Sequence, residues 1–151
     1  MEYIEIDGRN DGLTPSQVPL RFLLDGAHNH AGVRFLIEAL KTQFSYDRLL
    51  VVWASMADKD YGDMLREMDE VADVLLLTRP ESERSASPAD LASVLAQPSG
   101  QKVQLFDSVS GVLESVFRQA SPDDLVLVAG SLYLVGEFRK LLVGELVEVA
   151  D

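Results

Sequence analysis

"RFLLDGAHNHAGVRFLIEALKTQFSYDRLLVVWA", residues 21–54, runs from an apolar stretch through a polar break and a long mixed segment to a second apolar stretch. The two apolar runs, Arg21–Leu24 and Leu49–Ala54, are nearly continuous rather than alternating. That is the pattern of strands covered on both faces. Between them, Val33, Leu36, Ile37 and Leu40 recur at helical spacing within Ala31–Phe44. Strand, helix and strand in that order make a parallel crossover unit, which is right-handed almost without exception.

The unit repeats along the chain. Further apolar runs stand at Val74–Leu77, Val103–Phe106 and Leu125–Ala129. Helical patterns lie between or after them: Tyr61–Met68, a segment opened by Ser87–Pro88 with Leu91, Val94 and Leu95, Ser108–Gln119 and Leu132–Leu142. Ser87 and Ser108 are placed to cap their helices, and Pro88 suits a first helical position. A sixth run, Tyr3–Ile6, leads into a loop rich in Gly, Asn, Asp and Pro, so it is expected to pair antiparallel at an edge. Glu145–Val149 is read as one more edge strand. The expected fold class is α/β: a doubly wound, Rossmann-like, mostly parallel sheet of about six strands, with helices on both faces. One domain is expected over residues 1–151, without repeats.

Composition narrows the function. The 151 residues carry 25 acidic and 13 basic side chains, a net charge of −12. Nucleic-acid phosphates and acidic membrane surfaces both demand Lys and Arg, so neither partner is expected. No apolar run nears the roughly 18 residues of a membrane span. The absence of cysteine removes thiol nucleophiles, disulfides and cysteine metal sites, and fits a cytoplasmic protein. A chain of this length buries roughly 70% of its unfolded surface, enough to fold on its own.

In a parallel α/β sheet, ligands bind beyond the carboxyl ends of the strands. Those ends are Asp25–Asn29, Ser55–Asp60, Thr78–Arg84, Asp107–Ser110 and Gly130–Ser131. One edge would therefore gather both histidines of the chain, His28 and His30, with Lys59, Arg79, Arg84 and Ser131, a cationic group suited to an anionic ligand. Each residue also has an ordinary structural reading. Asp25–Gly26 makes a turn or cap, the histidines can be solvated, Ala57–Asp60 is a polar loop, and Ser131 can cap a helix. The two histidines lack a third ligand, so no metal site is expected. Neither G-x-x-x-x-G-K-[ST] nor G-x-G-x-x-G occurs.

Taken in order, "LLDGAHN" (23–29), "VVWASMADKD" (51–60), "LLLTRPESERSASP" (75–88) and "LVLVAGSLYLVGEFR" (125–139) resemble the C-terminal domain of bacterial folylpolyglutamate synthase/dihydrofolate synthase, of the Mur ligase superfamily. The likeness runs from about Met1 to Arg139. The family usually continues "DGAHNP", and position 30 is His here. Proline would pre-set the first helical turn, and His30 can still be helical.

The resemblance implies an ATP-dependent ligase that adds L-glutamate to dihydropteroate or a folate through an acyl phosphate, with ATP and Mg as cofactors. It implies that the P-loop and metal ligands belong to an N-terminal ATPase domain outside this chain, which alone would be inactive. Arg9 does not match the family's ATP-contacting arginine. Residue by residue, Asp25 is implied to bind the ATP ribose. His28 is implied as the catalytic candidate between nucleotide and amino acid, and Ser131 to hold the glutamate. Lys59 and Arg84 are implied as looser phosphate or carboxylate neighbours. Two alternatives stay open: a cell-wall Mur-type ligase, and a stand-alone Rossmann-like binding module.

Overall fold

The computed structural model describes residues 1–6, 19–97 and 102–150, with side chains as far as residue 143. Arg9 lies outside these residues. The elements are β1 (Glu2–Ile6), β2 (Leu20–Leu24), α1 (His30–Gln43), β3 (Leu49–Trp53), α2 (Gly62–Val71), β4 (Val74–Leu77), α3 (Pro88–Ala92), β5 (Val103–Leu105), α4 (Val109–Gln119), β6 (Leu125–Ala129) and α5 (Leu132–Ala150). They form one six-stranded sheet in the order β1-β2-β6-β3-β4-β5. β1 pairs antiparallel with β2 at the edge, as expected, and every other pairing is parallel.

Period-two alternation divides the strands between two cores. Leu23, Val51, Trp53, Leu75, Leu77, Leu127 and Ala129 pack under α1, α2 and α3. Phe22, Leu24, Leu50, Val52, Leu76, Val126 and Val128 pack under α4 and α5. Phe22 meets both Phe117 and Phe138, at ring-centroid separations of 6.3 and 6.0 Å. All residues of β3, β4 and β6 are buried, which is why these runs are apolar throughout.

The expected caps form. Ser87 Oγ accepts from Asp90 N at 3.1 Å and Ser108 Oγ accepts from Gly111 N at 3.0 Å. Two expectations change. Val94 and Leu95 fall after α3, whose helix ends at Ala92 and gives way to turns. Glu145–Val149 is not a strand but the last part of α5. Its valines suit a strand, but no proline interrupts the chain after Leu132. An established helix adds residues at little cost, whereas a new strand needs a sheet edge.

The amino edge of the sheet is held by charge. Asp124, just before β6, is buried, and its Oδ2 accepts from Arg48 Nη2 at 2.8 Å and from Ser121 N at 2.9 Å. Burial pushes this carboxyl up, but the hydrogen bonds from Arg48 and Ser121, with the Arg48 charge, outweigh it and hold it below the usual range. A carboxyl with a depressed pKa stabilises the fold fully above its unfolded pKa, near pH 4, and progressively less below it. Asp124→Asn should therefore lower stability by about 1–3 kcal/mol at neutral pH. The difference from wild type should close as urea melts are taken into acid; a difference independent of pH would show that the charge is not involved.

Candidate functional site

β2 and β6 are neighbours, but the chain leaves them in opposite directions. After β2 it enters α1, which packs on one face; after β6 it enters α5, which packs on the other. The crevice between diverging connections is where this architecture places a ligand. Asp25–Asn29 and Gly130–Ser131 form its two lips.

The lips are joined directly. Asp25 N donates to Val128 O at 3.0 Å, extending the ladder by one residue, and Gly130 N donates to Ala27 O at 3.0 Å. Asp25 Oδ1 accepts from Ala27 N at 2.8 Å, so the carboxylate fixes its own turn. Its Oδ2 lies 3.9 Å from the Met1 amine, beyond hydrogen-bonding distance. His28 is exposed, and its Nδ1 lies 2.8 Å from Gly26 O. A carbonyl can only accept, so Nδ1 donates a proton in this contact, which leaves Nε2 as the ring's outward nitrogen. Asn29 caps α1 through Oδ1, which accepts from Gly32 N at 2.8 Å.

On the opposite lip, Ser131 is 3% exposed and caps α5: its Oγ accepts from Leu134 N at 3.3 Å, while Val135 N donates to its carbonyl at 3.0 Å. Gly130 has φ +101°, and a side chain there would strike Ala54 O and the fused ring carbons of Trp53. Gly26 faces Leu132 so closely that a Cβ would displace the leucine side chain. Glycine is required at Gly130, where backbone and a buried ring fill the space, whereas at Gly26 only the end of the exposed Leu132 side chain would have to move.

Lys59 and Arg84 belong to a neighbouring pair of loops. Ala57 N donates to Arg84 O at 2.7 Å, Met56 bridges Ser85, and Arg84 Nη2 pairs with Asp58 Oδ2 at 3.1 Å. Arg84 is thus already matched by a carboxylate in a solvated pair worth at most about 1 kcal/mol. The Lys59 side chain is exposed and has no ion pair among the described residues. Arg79 lines a separate cleft of about 550 Å³ with Glu81, Glu83, Asp107 and Glu137. His30 opens α1, close enough to Asp63 to help the Arg66 hydrogen bond keep that carboxyl below its usual range. The structure joins the strand ends Asp25–Asn29 and Gly130–Ser131, the segments that carry Asp25, His28 and Ser131. Beneath them lies Trp53, inside an apolar strand that gave no signal beyond burial, next to Ser55 at the head of the Ser55–Asp60 strand end. Among the described residues, no three His, Asp or Glu could hold a metal ion.

Residues 13–132 match the family model of the Mur ligase glutamate ligase domain. The chain belongs to this family. It is 35% identical over 145 residues to a probable bifunctional folylpolyglutamate synthase/dihydropteroate synthase of Haloferax volcanii, covering 90% of this chain and 17% of the relative. It is 30% identical over 121 residues to the dihydrofolate synthase/folylpolyglutamate synthase of Bacillus subtilis, covering 79% and 27%. E. coli FolC solved with DHPP and ADP superposes at a TM-score of 0.71, with 27% identity, over 86% of this chain and 29% of that one. A bifunctional folylpolyglutamate synthase/dihydrofolate synthase solved with Mn, AMPPNP and L-glutamate superposes at 0.72, with 26% identity, over 82% and 29%. The chain thus spans less than a third of each of these relatives. No helix among the described residues is long and apolar enough to cross a membrane.

Gly130→Ala combines left-handed strain with a clash against rigid backbone. It should lower unfolding free energy by about 2–5 kcal/mol, whereas Gly136→Ala, in open space on α5, should be neutral or stabilising. Chemical denaturation of both variants checks the contrast.

Proposed function

We propose that this chain supplies the amino-acid side of an ATP-dependent ligase that joins L-glutamate to dihydropteroate or to a folate. The observation that carries the reading is the closure of Asp25–His28 onto Gly130–Ser131 by the Gly130–Ala27 hydrogen bond. It puts a carboxylate, an imidazole and a helix-capping hydroxyl at one crevice, in a fold shared with a relative solved with AMPPNP and L-glutamate.

In this reading Asp25 Oδ2 accepts from the ribose hydroxyls of ATP, while Oδ1 stays bound to Ala27. Ser131 donates its hydroxyl proton to the glutamate carboxylate. A hydroxyl has two acceptor lone pairs as well as its donor, so capping α5 and binding an anion are compatible. The helix amino end favours the same anion. The triphosphate and its metal are held by an ATPase domain outside this chain.

The carboxylate of the pteroate or folate takes the γ-phosphoryl group of ATP, forming an acyl phosphate and ADP. The glutamate amine then attacks the acyl carbon, the C–O bond to phosphate breaks, and the amine sheds a proton. In this reading His28 takes that proton at Nε2 while Nδ1 donates to Gly26 O. Closing the two domains over one another excludes water, which would otherwise hydrolyse the acyl phosphate.

In the ligase that carries this domain, Asp25→Ala should raise the ATP KM by the equivalent of about 1–3 kcal/mol and leave the glutamate KM nearly unchanged. Ser131→Ala should do the reverse, raising the glutamate KM about ten- to a hundredfold. If Ser131 serves only as a cap, its alanine variant will lose about 1 kcal/mol of stability with normal glutamate kinetics. Melting temperature and both KM values on the same proteins separate the outcomes. The 151-residue chain alone should not turn over ATP.

A further inference from the structure

Trp53 ends β3 opposite Ala129 of β6, fully buried. The fused carbons of its indole lie directly against Gly130, the residue that turns the chain into Ser131. Its Nε1 donates to Ser55 Oγ at 2.8 Å, and Ser55 is itself 3% exposed. The hydrogen bond ties the indole to one orientation against Gly130.

The same few residues tie together the other loops of the edge. Thr78 N donates to Trp53 O at 3.0 Å, and Ala86 N donates to Ser55 O at 2.9 Å. Gly130 N reaches Ala27 O, and Ala27 packs against the core cluster that contains Trp53. The loops after β2, β3, β4 and β6 therefore share one rigid support.

We propose that Trp53, oriented by Ser55, is a positioning residue for the Gly130–Ser131 turn, and through it for the glutamate contact. The indole touches no ligand. It acts as a stop that keeps Gly130 in its left-handed conformation, so that Ser131 presents its hydroxyl at a fixed place. The ligand half of this proposal rests on the reading of Ser131 given above.

Two variants separate positioning from mere core filling. Ser55→Ala keeps the indole volume and removes only its hydrogen bond. Trp53→Phe keeps an aromatic ring and removes the donor. Trp53 is the chain's single tryptophan, so a shift in its emission verifies that Ser55→Ala releases the indole N–H. Hydrogen exchange on the 151-residue chain is then read at Gly130, with Val51 and Val126 reporting opening of the whole core. In both variants the Gly130 amide should exchange about tenfold faster relative to those two.

In the ligase, Ser55→Ala should raise the glutamate KM about fivefold and change the ATP KM less than about twofold. Ser55→Ala combined with Ser131→Ala should be no worse for glutamate than Ser131→Ala alone, because the first acts through the second. Gly130 exchange that keeps step with the core overturns the positioning role, and so do additive effects in the double variant. If Gly130 exchange responds but Ser131→Ala leaves the glutamate KM unchanged, the turn is positioned as proposed and the glutamate reading is what fails.

Discussion

Burial of the sheet on both faces is the constraint from which the rest follows. In β3, β4 and β6 no residue reaches solvent, so none can carry polar chemistry without a buried partner. Function is thereby confined to the strand ends. At the carboxyl ends the ladder stops, backbone groups turn outward, and two helices depart in opposite directions. The site is the place where the sheet's hydrogen bonds run out and loop groups take over: Asp25 N to Val128 O, then Gly130 N to Ala27 O.

The two ends of the strands divide their duties. At the amino edge, Arg48, Asp124 and Asp73 bind one another's neighbouring backbone and side chains. Asp73 Oδ2 accepts from Leu49 N at 2.7 Å, and Arg21 donates to the carbonyls of Ser45 and Asp123. These groups are spent on the fold. At the carboxyl edge, His28 and Lys59 remain exposed. Conserving stability at one end leaves the other free to bind and to change.

Much of this was readable from residues alone. Short, near-continuous apolar runs alternating with helical patterns point to strands sandwiched between helices, and the order of elements then fixed which loops share an edge. That logic put Asp25–Asn29 and Gly130–Ser131 at one edge without any coordinate, and the family resemblance then singled out Asp25, His28 and Ser131 within them. It failed at Glu145–Val149, where valine-rich composition imitates a strand and only the continuity of α5 decides. It also passed over Trp53. The contact of Trp53 with Gly130 joins neighbouring strand ends, and a residue inside an apolar run advertises only that it is buried. Arg84 gives the opposite lesson: a cation at the right edge is already engaged by Asp58, which spacing in the chain does not reveal.

β6 is the last strand in the chain and sits in the interior of the sheet, between β2 and β3. During synthesis, therefore, the β1–β2 hairpin and the β3–β4–β5 ribbon can each begin to form, but neither has its inner neighbour until residues 125–129 leave the ribosome. Until then two apolar strand edges stay open. Pairing β2 with β6 closes a loop of about a hundred residues, which slows folding more than it weakens the finished structure. A nascent chain stalled before Leu125 presents sticky, half-built sheets to its surroundings, so truncation there should lead to aggregation rather than to a smaller folded domain.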